Sequence, residues 1–188
     1  MHPLDPLTFA AVPLRTARLD LEPLRVGHAP EMAVALADPA LYDFIGGTPM
    51  SESELRARYT RLLAGPAEAG SAAWCNWVLR LHGDAPRRGE AVGTVQATVM
   101  HDGAEIAWVV GTPWQGRGLA REAAGALADW LRGRGVPSLV AHVHPGHHAS
   151  AAVAAAAGLT PTEVFQDGER RWESPLRPDR QEPRRRPS

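Results

Sequence analysis

The sequence contains no lysine: all 20 of its basic residues are arginine. That absence excludes a Walker-type nucleotide loop, which needs a Gly-Lys-Ser/Thr core to reach the phosphates. Cysteine occurs once, as Cys75. An internal disulfide is therefore excluded, and a reducing compartment is favoured. No motif supports Cys75 as a nucleophile, so a buried small hydrophobe is the default reading. No stretch approaches the ~18 consecutive apolar residues of a membrane span. The opening Met1-His2-Pro3-Leu4-Asp5-Pro6 lacks the basic region and apolar run of a secretion signal. The expected location is the cytoplasm, with no membrane partner. Charge of one sign is also lacking. The formal net charge of −1 gives no overall field that would draw the chain to nucleic acid.

What is present fits one domain: 188 residues are enough to bury a core. The abundance of Ala, Gly and Pro, with Arg replacing Lys throughout, reads as coding bias. There is no internal repeat. Residues 1–13 are Pro-rich and read as a loose lead-in, residues 14–173 as the domain, and residues 174–188 as a disordered Pro/Arg-rich tail. Within the tail, Arg184-Arg185-Arg186 reads as solvated chain. Arg18 to Pro23 alternates as a strand. Pro30 to Leu41 is helical in pattern, with Asp38-Pro39 ending or bending it. Ser51 and Glu54 have capping-box spacing ahead of an apolar stripe of Leu55, Tyr59, Leu62 and Leu63. Trp77 to Leu81, Ala91 to Val99 and Glu105 to Val110 read as strands, with polar turns at residues 83–89 and 101–103. A helix follows from about Gly118 to Arg132, with Leu119, Ala123, Leu127, Trp130 and Leu131 at helical spacing and Gly133, Gly135 and Pro137 as its stop. Ser138 to Val143 is a strand and Ser150 to Ala157 an Ala-rich helix. Val164-Phe165 and Arg171-Trp172 lie in a hairpin around Asp167-Gly168. Antiparallel strands thus lead into a βαβ unit, an α/β arrangement with a mixed sheet.

The informative segment is Glu105 to Ala120: strand, turn, glycine loop, helix. Glycines let backbone N–H groups approach a ligand. The first helical turn leaves N–H donors unpaired at the positive end of the macrodipole. Together they suit a diphosphate, with Arg117 and Arg121 adding charge. The dinucleotide pattern Gly-x-Gly-x-x-Gly is broken at Arg121, and the preceding strands look antiparallel.

Gln115, Gly118 and Ala120 instead fit Gln/Arg-x-x-Gly-x-Gly/Ala. Here the chain resembles the GNAT superfamily of N-acetyltransferases, and within it the ribosomal-protein-alanine N-acetyltransferase-like branch. Thr16-Ala17-Arg18-Leu19-Asp20-Leu21-Glu22-Pro23-Leu24 is similar to that branch's T-x-R-L-x-L-R-P-L strand. Val92-Gly93-Thr94-Val95 is similar to its I-G-x-V strand, and Ala104-Glu105-Ile106-Ala107-Trp108 to its A-E-I-G-Y strand. Ala149-Ser150, Val153 and Gly158-Leu159 are similar to its A-S-x-x-V…G-F segment. The likeness spans roughly residues 14–172.

The resemblance implies a single mixed, mostly antiparallel sheet with a central splayed parallel strand pair and flanking helices. It implies acetyl-CoA as acyl donor, lying between strands that end near Val110 and Val143. Trp108, Val109 and Val110 would meet the pantetheine arm, and a backbone N–H near Val110 would polarise the thioester carbonyl. Gln115, Gly116, Arg117, Gly118, Leu119, Ala120 and Arg121 would surround the pyrophosphate. The implied reaction is direct attack by a primary amine, of a small molecule or a protein N-terminus, in a ternary complex. Glu105 matches the frequent base position and Ser150 the position beside the leaving thiolate. Two positions depart from the pattern. His147 stands where an Asn is usual and would take over a cofactor contact. Ala154 stands where many relatives carry a Tyr acid. A non-catalytic acyl-CoA binder is the second reading compatible with these departures. The resemblance implies a monomer or homodimer and no metal. His142, His144, His147 and His148 cluster, but no Cys or carboxylate joins them at ligand spacing. Trp74 and Trp77 read as core or rim packing, with an acceptor pocket as the other possibility. The expected acceptor grip is about Tyr42 to Leu63 and the closing hairpin.

Overall fold

A computed structural model of the chain describes residues 4–82 and 89–174. Most of the turn at 83–89, and the tail beyond Ser174 with its arginine run, lie outside them. Eight strands form one sheet: β1 (Leu14–Arg15), β2 (Leu19–Pro23), β3 (Ala73–Leu81), β4 (Ala91–Met100), β5 (Gly103–Val110), β6 (Leu139–Val143), β7 (Thr160–Gln166) and β8 (Glu169–Glu173). Their spatial order is β1-β2-β3-β4-β5-β6-β8-β7. Every neighbouring pair is antiparallel except β5–β6. The helices are α1 (Ala29–Ala35), α2 (Tyr42–Ile45), α3 (Glu52–Ala64), α4 (Leu119–Gly133) and α5 (His148–Ala156).

Strand alternation divides the sheet into two faces. Leu21, Leu79, Trp77, Val95 and Trp108 are related by cross-strand register, and they share the face under α4. The helix lays Leu119, Ala123, Leu127 and Leu131 onto this face, all buried. Each buried Leu there contributes about 1.5–3 kcal/mol of transfer free energy. Trp77 is fully buried and meets Trp130 edge-on, ring centroids 5.3 Å apart, so its packing side is core. Trp74 is partly exposed. The opposite face carries Glu22, Val78, Asn76, Gln96, Ala107 and Glu105, and α1 and α3 lie against it. Arg80 ties the two layers, pairing with Glu22 on β2 and Glu31 on α1.

Several elements differ from the sequence reading for local reasons. The helix expected over Pro30 to Leu41 ends at Ala35. Asp38 leaves the helical region ahead of Pro39 and its carboxylate accepts from Ala40 N–H at 3.0 Å, starting a separate 3₁₀ turn. β3 begins at Ala73, four residues before the expected start. Ahead of β3, α3 has its capping box as expected, with Ser51 N–H donating to Glu54 at 2.8 Å. The opening segment is packed from Leu4 onward rather than loose. Leu4 N–H donates to His101 O at 3.0 Å, and Phe9 is buried edge-on to Trp130. Ser174 closes the far end: its N–H donates to Leu139 O and its Oγ accepts from Leu139 N–H.

Gly93 on β4 is paired with Val110 on β5. A Cβ there would collide with the backbone oxygen of Val109. Gly93→Ala is expected to destabilise the fold by about 1–3 kcal/mol through overpacking, read as a lowered urea midpoint with an unchanged m-value.

Candidate active site

The site starts where β5 and β6 stop being neighbours. Only Ala104↔Leu139 and Glu105↔Val140 are paired; beyond them the strands part. Ala104 N–H donates to Ser138 O on the β6 side, and Gly111 N–H to Val92 O on the β4 side. Alternation of backbone groups along the strand then turns the N–H and C=O of Trp108 and Val110 toward the gap.

After β5 the chain makes a 3₁₀ turn at Thr112–Trp114 and enters the glycine loop. Gln115 Nε2 donates to Val110 O at 3.0 Å, folding the loop back on the strand end. Gly118 is the residue ahead of α4 and adopts φ +74°, a left-handed conformation costly for any residue with a Cβ. No side chain caps α4, so its first N–H groups point outward without an intrahelical acceptor.

The loop is held from the far side of the sheet's start by a network that the sequence reading missed. Thr16 Oγ1 donates to Glu122 Oε1 at 2.6 Å, and Arg18 N–H to the same oxygen at 2.8 Å. Arg18 Nε donates to Glu122 Oε2 at 2.6 Å, and Arg18 Nη1 to Arg117 O at 2.8 Å. The only signal was Thr16 and Arg18 in the opening-strand pattern, read there as strand alone.

Two clefts flank this end of β5. The loop cleft, about 400 Å³, brings together Trp108, Val109, Val110, Gln115, Gly116, Gly118, Leu119, Ala120, Arg121, His147 and Ser150. Arg117 is exposed and does not line it; its carbonyl is engaged by Arg18. The face cleft, about 430 Å³, lies on the opposite face of the sheet and contains Glu105 together with Asn76, Gln96 and His142. Phe44, Ile45, Trp108, Val109, His147 and Ser150 line both.

Ser150 lies in the third residue of α5; His147, not Ser150, precedes the helix. The serine is therefore free of a capping role, and its Oγ accepts a hydrogen bond from Trp108 Nε1 at 3.1 Å. An indole N–H only donates, so the serine's own proton remains available to a ligand. Glu105 is exposed in the face cleft, with His142 Nδ1 3.3 Å from its Oε1. His147 stacks on Phe44, centroids 4.5 Å apart. Burial, helped by nearby His144, holds its pKa below the usual histidine value, so the ring is neutral at neutral pH. Phe44 carried no sequence signal because α2 is four residues long. Among the described residues, no three His, Cys, Asp or Glu side chains group as a metal site, and no helix is long and apolar enough to cross a membrane.

The acetyltransferase (GNAT) domain profile matches residues 18–160. The chain belongs to the GNAT acetyltransferase family. None of the curated proteins compared with it matches significantly. Among solved structures it is similar to an acetyltransferase from Agrobacterium tumefaciens, at 28% identity and TM-score 0.68 over 89% of this chain and 96% of that one. An acetyltransferase from Thermus thermophilus shares the fold at 22% identity and TM-score 0.67, covering 94% and 100%. So does RimL, a ribosomal L7/L12 α-N-protein acetyltransferase solved with coenzyme A, at 16% identity and TM-score 0.71, covering 88% and 98%. These likenesses give the GNAT fold; the ribosomal-protein branch does not follow from identities this low.

The Glu122 network carries a pH signature. Burial alone would raise the Glu122 pKa, but hydrogen bonds from Thr16 and Arg18 outweigh it and hold the carboxyl below its usual value of 4.5. A lowered folded-state pKa stabilises the fold above the unfolded value and loses that contribution as pH falls through the folded one. Glu122→Gln is therefore expected to cost about 1–2 kcal/mol at pH 7. The gap to the parent should narrow as pH drops below about 4.5, measured by urea unfolding across pH.

Proposed function

We propose that this GNAT protein transfers an acyl group, acetyl in the first instance, from CoA to a primary amine by direct attack in a ternary complex. The observation that carries the reading is the meeting of two clefts at the parted end of β5, through Trp108, Val109, His147 and Ser150. One cleft ends at an uncapped helix N-terminus suited to a diphosphate; the other contains a carboxylate.

In this reading the CoA pyrophosphate lies against the amides from Gly116 to Ala120, with Arg121 at the rim. The pantetheine arm adds to the free edge of β5 at Trp108 and Val110, as a strand would. The Val110 N–H, turned into the gap, donates to the thioester oxygen as charge develops there. The amine arrives through the face cleft and must be neutral to attack. Glu105 removes its proton, directly or through water, with His142 holding the carboxylate in place. The new C–N bond forms as the C–S bond breaks. The departing thiolate accepts a hydrogen bond from Ser150, whose oxygen is oriented by Trp108. His147 contributes a neutral ring stacked on Phe44 at the junction. The chain's work is placed in the cytoplasm, on a small amine or a protein N-terminus.

Two substitutions test the two halves. Gly118→Val forces a β-branched residue into a left-handed conformation, and is expected to abolish acetyl-CoA binding in calorimetry; retained affinity would remove the loop from the cofactor site. Glu105→Gln is expected to lower kcat at neutral pH by about 10²–10⁴-fold with acetyl-CoA affinity unchanged. Thiol release across an amine panel separates an enzyme from a non-catalytic acyl-CoA binder. Tight binding of acetyl-CoA with no release from any amine would establish the latter.

A further inference from the structure

The face cleft contains a cation that the transfer chemistry does not use. α3 turns Leu55, Tyr59 and Leu62 toward the sheet, and Arg58 falls within the same stripe, three residues after Leu55 and four before Leu62. Arg58 lines the cleft with the other three. It lies close enough to the phenols of Tyr42 and Tyr59 to favour their ionised form, although burial outweighs it and pushes Tyr59 up to about 12. Both phenols therefore remain neutral beside it.

Two nearby arginines, Arg56 and Arg80, are committed elsewhere. Arg56, two residues earlier, pairs with Glu52 at 2.8 Å. Arg80 pairs with Glu22 and Glu31. Among the described residues, no carboxylate lies within ion-pair distance of Arg58. The carboxylates lining the cleft are Glu105, which faces His142, and Glu169 on β8. The remaining charged or titratable lining groups are His142, His144 and His147, of which His147 is neutral and stacked on Phe44. The cleft is thus dipolar. A guanidinium stands on its helical wall, and a carboxylate stands on its sheet floor beside the parted strands.

We infer that the acceptor is a small amino-carboxylate, held by its carboxylate on Arg58 with its amine directed to Glu105. A guanidinium offers paired N–H donors in the geometry a carboxylate accepts, and a cavity of about 430 Å³ suits an amino-acid-sized ligand. The inference rests on the face cleft being the acceptor side of the proposed transferase.

The test uses matched pairs, leucine with leucinamide and phenylalanine with phenylalaninamide, on the full chain saturated with CoA for binding and with acetyl-CoA for turnover. The free acids are expected to bind by calorimetry and their amides at least tenfold more weakly. Arg58→Gln is expected to weaken the acids by tenfold or more, converging on the amides, without changing acetyl-CoA affinity or the melting temperature. Arg58→Lys should restore part of the preference. Equal binding of acid and amide, or acid binding unmoved by Arg58→Gln, overturns the assignment, as does a preference for peptide or polycationic amines. Acid-selective binding that depends on Arg58, with no thiol release from any amine, would uphold the pocket assignment and refute the transferase reading.

Discussion

Two registered pairs, Ala104↔Leu139 and Glu105↔Val140, are all that joins β5 to β6. Every other feature of the site follows from where that pairing stops. A parallel pair needs a crossover, and here the crossover is α4, which begins at the end of β5 on the same side as the gap. The gap exposes backbone donors and acceptors that a continued sheet would have consumed. Such groups are costly to bury unpaired, so the end of the sheet is committed either to solvent or to a ligand able to complete the ladder. The helix start adds uncapped donors at the same place. A cleft with strand-like edges and an uncapped helix start at one end is the outcome of one interrupted pairing.

Keeping that cleft open requires that the loop between β5 and α4 not collapse into it. Gln115 pulls the loop toward the strand by its bond to Val110 O, while Arg18 and Glu122 pull it toward β2 from the other side. The Thr16–Arg18–Glu122 cluster joins groups more than a hundred residues apart in sequence. It spends a carboxylate in the first turn of α4 on structure, a position that also favours a negative charge through the helix dipole. The amides of that turn are left unobstructed because the carboxylate bonds outward, to Thr16 and Arg18, rather than back onto the helix. Rigid positioning of donors ahead of the ligand is what makes them effective, since little reorganisation remains when charge arrives.

Much of this was legible in the sequence because it is local. The α3 capping box, the apolar stripe of α4, the β7–β8 turn at Asp167-Gly168 with its two positive φ angles, and the glycine loop each follow from a few adjacent residues. The succession of strands and helices along the chain was legible from the alternation of patterns. What escaped depends on contacts across the chain. Glu105 and His142 are 37 residues apart and meet through the parallel pairing of their strands. Phe44 reaches the junction of the clefts from a single helical turn that two glycines follow, too short to leave a periodicity. The helix expected from Ser150 took the Ala-rich run for its whole length; α5 starts two residues earlier, at His148. Arg58 was passed over because an arginine among alternating charges on α3 looks like solvated surface until the helix is set against the sheet.

The alanine at position 154 bears on how a GNAT site of this kind protonates its leaving group. Ala154 is fully buried, and the residues of α5 that line the loop cleft are Ala149, Ser150, Ala152 and Val153. Position 154 thus faces the core rather than the gap, and a tyrosine there would meet packed side chains before it met a ligand. Its absence leaves no hole in the cleft. The polar group at the junction instead stands one turn earlier on α5, where Trp108 fixes the Ser150 oxygen from the strand. A serine is a weak acid, but a thiolate is a good leaving group and needs stabilisation more than full protonation. In the proposed reaction a single hydroxyl from α5 would supply that, oriented by Trp108 on the strand whose free edge would hold the pantetheine arm.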